Sequence, residues 1–137
     1  MKKEITLDAT IENIPVFTAF IDETLEALDF PMKAQMQVDV AADEILSNIA
    51  HYAYPDVGSA TVVIEDTESG DEVFIRFIDT GVQYDPLEKD DPDITLGVDE
   101  REIGGLGIFM TKKLMDGIEY EYKDGQNILT LHKKGTV

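Results

Sequence analysis

A chain of 137 residues that is 43% hydrophobic and 29% charged fits a globular fold with a core of ordinary size, and we expect a single domain over residues 1–137. Its formal net charge of -18 opposes phosphate over the whole surface, so no direct nucleic-acid binding is expected; a basic protein partner and a plain solubility adaptation both remain open. No apolar run approaches the roughly 20 residues that span a bilayer, which disfavours a membrane protein. The opening MKKEITLDAT lacks the apolar segment of a secretory signal. With no cysteine, disulfides and thiolate metal sites are excluded, and a cytoplasmic address fits.

Residues 3–10 alternate as KEITLDAT, with Ile5, Leu7 and Ala9 on one side, and predict a half-buried strand. A helix follows, with Asn13 as its N-cap and Pro15 in its first turn. Ile14, Phe17, Ile21, Leu25 and Leu28 repeat at helical spacing up to Asp29. Phe30-Pro31 breaks that pattern, and a second helix is predicted from about Met32 to Tyr54, ended by Pro55, Asp56 and Gly58. Two alternating runs, 60–66 and 72–79, flank Glu68-Ser69-Gly70-Asp71 and read as a hairpin. From 80 to 103 no periodicity holds, and Pro86, Pro92 and Lys89-Asp90-Asp91 mark a long loop, commonly a lid or binding segment. A third helix opens after Gly104-Gly105-Leu106-Gly107. Residues 118–123 and 127–133 then flank Asp124-Gly125, a second hairpin signal. This order predicts an α+β, two-layer α/β sandwich: a mixed, mostly antiparallel sheet with three main helices on one face, not a doubly wound parallel sheet.

Three stretches carry chemistry. On the second helix Glu44, Asn48 and His51, at i, i+4 and i+7, fall within a roughly 60° sector, while Val38, Ala42, Ile45 and Ile49 face a core. An Asn carboxamide offers a neutral oxygen to a hard cation such as Mg2+, and a Glu one turn earlier is placed to take a proton from an attacking hydroxyl. Taken alone, the same residues also fit a solvated helix face. Asp79-Thr80-Gly81 stands at a strand end, where a carboxylate accepts from the exocyclic amine of adenine and a glycine lets the backbone pass closely; an Asx-type turn is the other reading. Gly104-Gly105-Leu106-Gly107 offers bare amides at a helix N-terminus, suited to phosphates, or else a hinge before a helix. A P-loop motif and the HRD and DFG motifs of protein kinases are missing.

In sequence, Glu44-x-x-x-Asn48, Asp79-x-Gly81-x-x-x-Asp85-Pro86 and Gly104-Gly105-Leu106-Gly107 resemble the Bergerat-type ATP-binding fold of gyrase, Hsp90, histidine kinases and MutL. DEILSNIAHYAYPD and GGLGIFMTKKLMD are most similar to anti-sigma factor serine/threonine kinases of bacterial partner switching, over nearly the whole length. The resemblance implies ATP and Mg2+ as cofactors, with Asn48 as metal ligand and Glu44 as general base. It implies Asp79 with Gly81 at adenine, Gly104, Gly105, Leu106 and Gly107 at the phosphates, and residues 85–103 as an ATP lid. His51 matches a position near the nucleotide, with helix capping or packing as alternatives; Arg101 either reaches a phosphate or a partner or is a surface arginine. The same choice stands for Lys112 and Lys113.

Two departures stand out. Gln126 and Asn127 occupy the place where many relatives carry a threonine at the adenine site, and the lid is unusually acidic, with Asp90, Asp91 and Asp93. The implied function is phosphorylation of a Ser/Thr on a small antagonist protein, together with binding of a sigma factor, as a homodimer. The alternative is a non-catalytic ATP-binding interaction module of a partner-switching system. The sequence holds only His51 and His132, and no dimerisation helix with a phosphoacceptor histidine precedes it, which disfavours the catalytic half of a histidine kinase.

Overall fold

The computed structural model describes residues 1–88 and 105–135. Strand β1 (Lys2–Asp8) leads through a short 3-10 turn into helix α1 (Ile14–Ala27), then helix α2 (Met32–Asn48), which runs on as a π turn, Ile49–Ala53. Strands β2 (Ser59–Asp66) and β3 (Glu72–Asp79) follow, then helix α3 (Gly105–Leu114) and strands β4 (Gly117–Lys123) and β5 (Gln126–Lys134). The five strands form one sheet in the order β1-β2-β3-β5-β4.

Every neighbouring pair is antiparallel, so the sheet is not the mixed one expected. The connection from β3 through α3 makes β4 run parallel to β3. However, β5 folds back between the two and pairs with each, so no parallel pair forms. The second hairpin turns as Asp124-Gly125 predicts, both residues having positive φ (54° and 77°), the backbone of a type I′ turn.

The strand period of two puts Val62, Ile64, Val73, Ile75, Phe77, Leu129 and Leu131 on one side, where they are buried against the helices. Helix α1 answers with Phe17, Ile21 and Leu25, and α2 with Val38, Ala42 and Ile45. Ala34, Ala41 and Ala42 keep the buried surface of α2 small, which lets its neighbours come close. Among the described residues no helix is long and apolar enough to cross a membrane.

Both ends of α1 differ from the simplest expectation. Asn13 occupies the N-cap position, but its side chain makes no cap bond; its amide donates to the Asp8 carbonyl at 2.9 Å and ties the helix to β1. At the far end Asp29 takes the left-handed conformation (φ 60°). Its N–H donates to Glu26 O, and the N–H of Phe30 donates to Leu25 O, the Schellman arrangement with Asp where Gly is usual. Leu25 and Phe30 are both in the core, the apolar contact this motif favours.

Between α1 and α2, Asp22 and Asp39 face each other. Burial, then the hydrogen bond with Asp22, then its charge raise the Asp39 carboxyl from 3.8 to about 7. Oδ1 of each residue is buried with no donor among the described residues, and a proton shared by the two carboxyls relieves both. Because the folded-state pKa is raised, the contribution of Asp39 to stability is fully present below pH 3.8 and is lost as pH rises through about 7. Asp39→Asn should therefore leave stability at pH 4 nearly unchanged and raise it at pH 8 by roughly 1–2 kcal/mol, after discounting for solvent screening of a partly exposed pair. Urea unfolding at the two pH values measures the difference; an equal effect at both would contradict the shared proton.

Candidate functional site

The polar side of α2 is shaped by a change of winding. Past Asn48 the helix closes as a π turn, whose i→i+5 bonds place more residues in each turn. Residues beyond Asn48 therefore rotate less per step than an α-helix requires, so His51 falls behind the line of Glu44 and Asn48 while Tyr52 comes round towards it. Tyr52 lines the cleft described below and His51 is not among its lining residues. The His51 ring is exposed, with Nδ1 held 2.8 Å from the Ser47 carbonyl. A uniform α-helix over this stretch had put His51 beside Asn48.

Glu44 and Asn48 meet as their spacing predicts. Asn48 Nδ2 donates to Glu44 Oε1 over 3.4 Å, which commits its nitrogen to Glu44 and leaves the carboxamide oxygen for another partner. Burial pushes the Glu44 carboxyl above its ordinary range; the bond from Asn48 pulls it back in part, and the charge of Asp43 adds to the rise.

Opposite lies the first turn of α3. A Cβ on Gly107 would overlap the Glu44 carboxyl group as it stands, so the glycine lets this turn lie against the carboxylate without displacing it. Gly105, Leu106 and Gly107 belong to the helix itself instead of preceding it. First-turn amides have no partner within a helix, so they keep the donor capacity the motif suggested. Gly104, Arg101 and the acidic positions Asp90, Asp91 and Asp93 lie outside the described residues.

Asp79 ends β3 and is 6% exposed. Its Oδ1 accepts from the Gly81 amide and from Asn127 Nδ2, each at 2.9 Å. The close approach that requires glycine at 81 is to the Ala53 carbonyl of the π turn, which a Cβ would overlap. The same carbonyl accepts from the Val82 amide at 2.8 Å. Within the protein, then, the glycine of this motif seats the turn after β3 on the end of the second helix.

Asn48 and Asp79 share one cleft, partly open to solvent, with Ile108 of α3 in its wall; a mainly apolar lining with a few polar groups suits a small-molecule ligand. Asn48 and Tyr52 line it from the helix side and Asp79 from the sheet. Phe77, Ile108 and Leu129 form apolar walls, and Val82, Tyr84, Pro86, Tyr120 and Asn127 complete the sheet end. Tyr52 and Tyr120 were not foreseen as site residues, and Asn127 was noted only, with Gln126, as standing where many relatives carry a threonine. Asn127 had a visible signal, a polar residue on the inward side of an otherwise apolar alternation (Asn127, Leu129, Leu131); the other two had none.

A helical layer over an antiparallel sheet, with a cleft between a Glu-Asn pair and a buried strand-end aspartate, is the arrangement of an ATP-binding α+β sandwich. The chain belongs to the histidine kinase-like ATPase domain family, whose profile matches residues 7–133. It is 28% identical over 99 residues to the serine/threonine-protein kinase BtrW of Bordetella bronchiseptica, covering 72% of this chain and 70% of that protein. To the serine-protein kinase RsbW of Bacillus cereus it is 28% identical over 133 residues, 93% of this chain and 82% of the relative. A solved structure of the RsbU and RsbW domains of a Mycobacterium tuberculosis protein shares the fold, with TM-score 0.71 and 20% identity. That match covers 98% of this chain and 32% of the mycobacterial one.

Gly107→Ala tests the contact between helix and carboxylate. Alanine is worth about 1 kcal/mol more than glycine in a helix, and only the movable end of Glu44 stands in its way. Stability should hold or rise by thermal unfolding, while ATP affinity falls at least about tenfold as the new methyl crowds the amides. Unchanged affinity in this variant would contradict the geometry described.

Proposed function

We propose that the chain is an ATP-dependent anti-sigma factor serine/threonine kinase, which binds a sigma factor and phosphorylates a Ser or Thr of a small antagonist protein. The observation that carries this reading is that one cleft has Asp79 at one end and, at the other, Asn48 bonded to Glu44 against the first turn of α3. The similarity to proteins named as serine kinases supports it.

In this reading Asp79 accepts from the adenine amine, and the amides of Gly105, Leu106 and Gly107, with Gly104, hold the phosphates. The residues present fit Mg2+: a single neutral carboxamide oxygen suits a hard ion that keeps several waters and takes its other oxygens from phosphates. Asn48 would hold the ion, which offsets the charge of the triphosphate. Glu44 accepts the proton of the attacking hydroxyl as the new oxygen–phosphorus bond forms and the bond from the γ-phosphorus to ADP breaks. Positioning supplies the remaining acceleration. Arg101 is a further candidate for a contact near the nucleotide.

A cytoplasmic homodimer fits this role, and the net charge of -18 suits a basic surface on the sigma factor. Incubation with labelled ATP and candidate antagonists tests the reading. Labelled antagonist is expected; ATP binding with every partner left unlabelled would make the chain an interaction module instead.

Glu44→Ala should lower transfer by roughly 100-fold or more, the scale of general-base catalysis, while ATP binds within about threefold of the native protein. Because the Glu44 pKa is raised and the base works deprotonated, native transfer should fall as pH drops through a value above the ordinary 4.5 of glutamate. Equal transfer by variant and native protein would rule out Glu44 as the base.

A further inference from the structure

The strongest unassigned feature is the carboxamide of Asn127, at the start of β5 and 6% exposed. Its Nδ2 donates to Asp79 Oδ1 and to the Val82 carbonyl, both at 2.9 Å. Its Oδ1 accepts from the Tyr84 amide at 3.1 Å and from the Tyr120 hydroxyl. Two donors and two acceptors exhaust an asparagine side chain. A flipped amide would set its oxygen against two acceptors and its nitrogen against a donor N–H, so the network admits one orientation.

The consequence falls on Asp79. With Gly81 and Asn127 both on Oδ1, that oxygen is saturated and the carboxylate cannot turn. Oδ2 takes no hydrogen bond from the described residues and belongs to a side chain that lines the cleft.

We propose that Asn127 is the positioning residue for base selection: by holding Asp79 Oδ1 it presents Oδ2 to the ligand as a fixed acceptor. An acceptor at that point favours a base with an exocyclic amine and disfavours one with a carbonyl oxygen there. The same amide fastens the turn at Val82 and Tyr84, so the aspartate and the adjoining wall of the cleft are set together. This inference rests on the ATP reading above and adds to it the group that enforces the choice of base.

ATP and inosine triphosphate, which carries oxygen in place of the 6-amine, discriminate the two roles by calorimetry. The native protein should bind ATP roughly 10- to 100-fold more tightly, the range of a hydrogen bond to a charged group. In Asn127→Ala the ATP affinity should fall towards that of inosine triphosphate, which itself changes little. Asn127→Thr, whose single hydroxyl donor can serve Asp79 but not Val82 as well, should regain part of the preference, and it guards against an alanine variant that does not fold. Equal losses for both nucleotides, or an unchanged ratio in either variant, would overturn the positioning role. Equal binding of the two nucleotides by native protein would overturn it without any variant. If native protein binds neither, the ATP reading falls as well, a result distinct from the others.

Discussion

The contact between the Glu44 carboxylate and the glycine face of the third helix is the constraint from which the rest of the site follows. Two helices separated by some sixty residues of chain approach so closely that a Cβ at 107 would have to displace the Glu44 carboxylate. That approach sets a carboxylate, a carboxamide and the bare start of a helix around one space. A carboxylate beside a helix N-terminus is favoured by the dipole; Glu44 is also partly desolvated, and burial is the largest cause that holds its pKa above the ordinary range. The result is a carboxylate of increased proton affinity beside the open amides of a helix start.

The opposite end of the cleft is built from the sheet, by different means. Asp79 is buried and would be costly there without donors. It is satisfied by a backbone amide of its own turn and by Asn127, its partner across the ladder. The π turn joins the two ends, since its last carbonyl receives Val82 and crowds Gly81. Helix and strand ends thus share a seam of backbone contacts, and the cleft lies along it.

Much of this was legible in the sequence because it depends on local periodicity. The two-residue alternation of EVFIRFID marks β3 with its observed bounds, and Asp124-Gly125 marks a turn that only positive φ can make. Glu44 and Asn48 meet because four residues make about one turn of α-helix. What failed was what local pattern does not encode. Nothing in IAHYA announces a π turn, and that one change of winding moves His51 off the line of the site and brings Tyr52 into it. The placement of β5 between β3 and β4 is a choice among long-range pairings, so the sheet came out wholly antiparallel and Asn127 came to face Asp79. Asp29 takes a left-handed backbone that glycine usually supplies, and no neighbouring residue marks it.

The central claim is that magnesium and ATP bind together in the cleft bounded by Asn48, the start of the third helix and Asp79. Isothermal titration of folded protein with ATP, with and without magnesium, tests it most directly. One saturable site is expected, much tighter with the metal present, and at about 100 times the dissociation constant the ligand should add roughly 2.7 kcal/mol to folding stability. No heat of association with magnesium present, from protein that still unfolds cooperatively, would contradict the account.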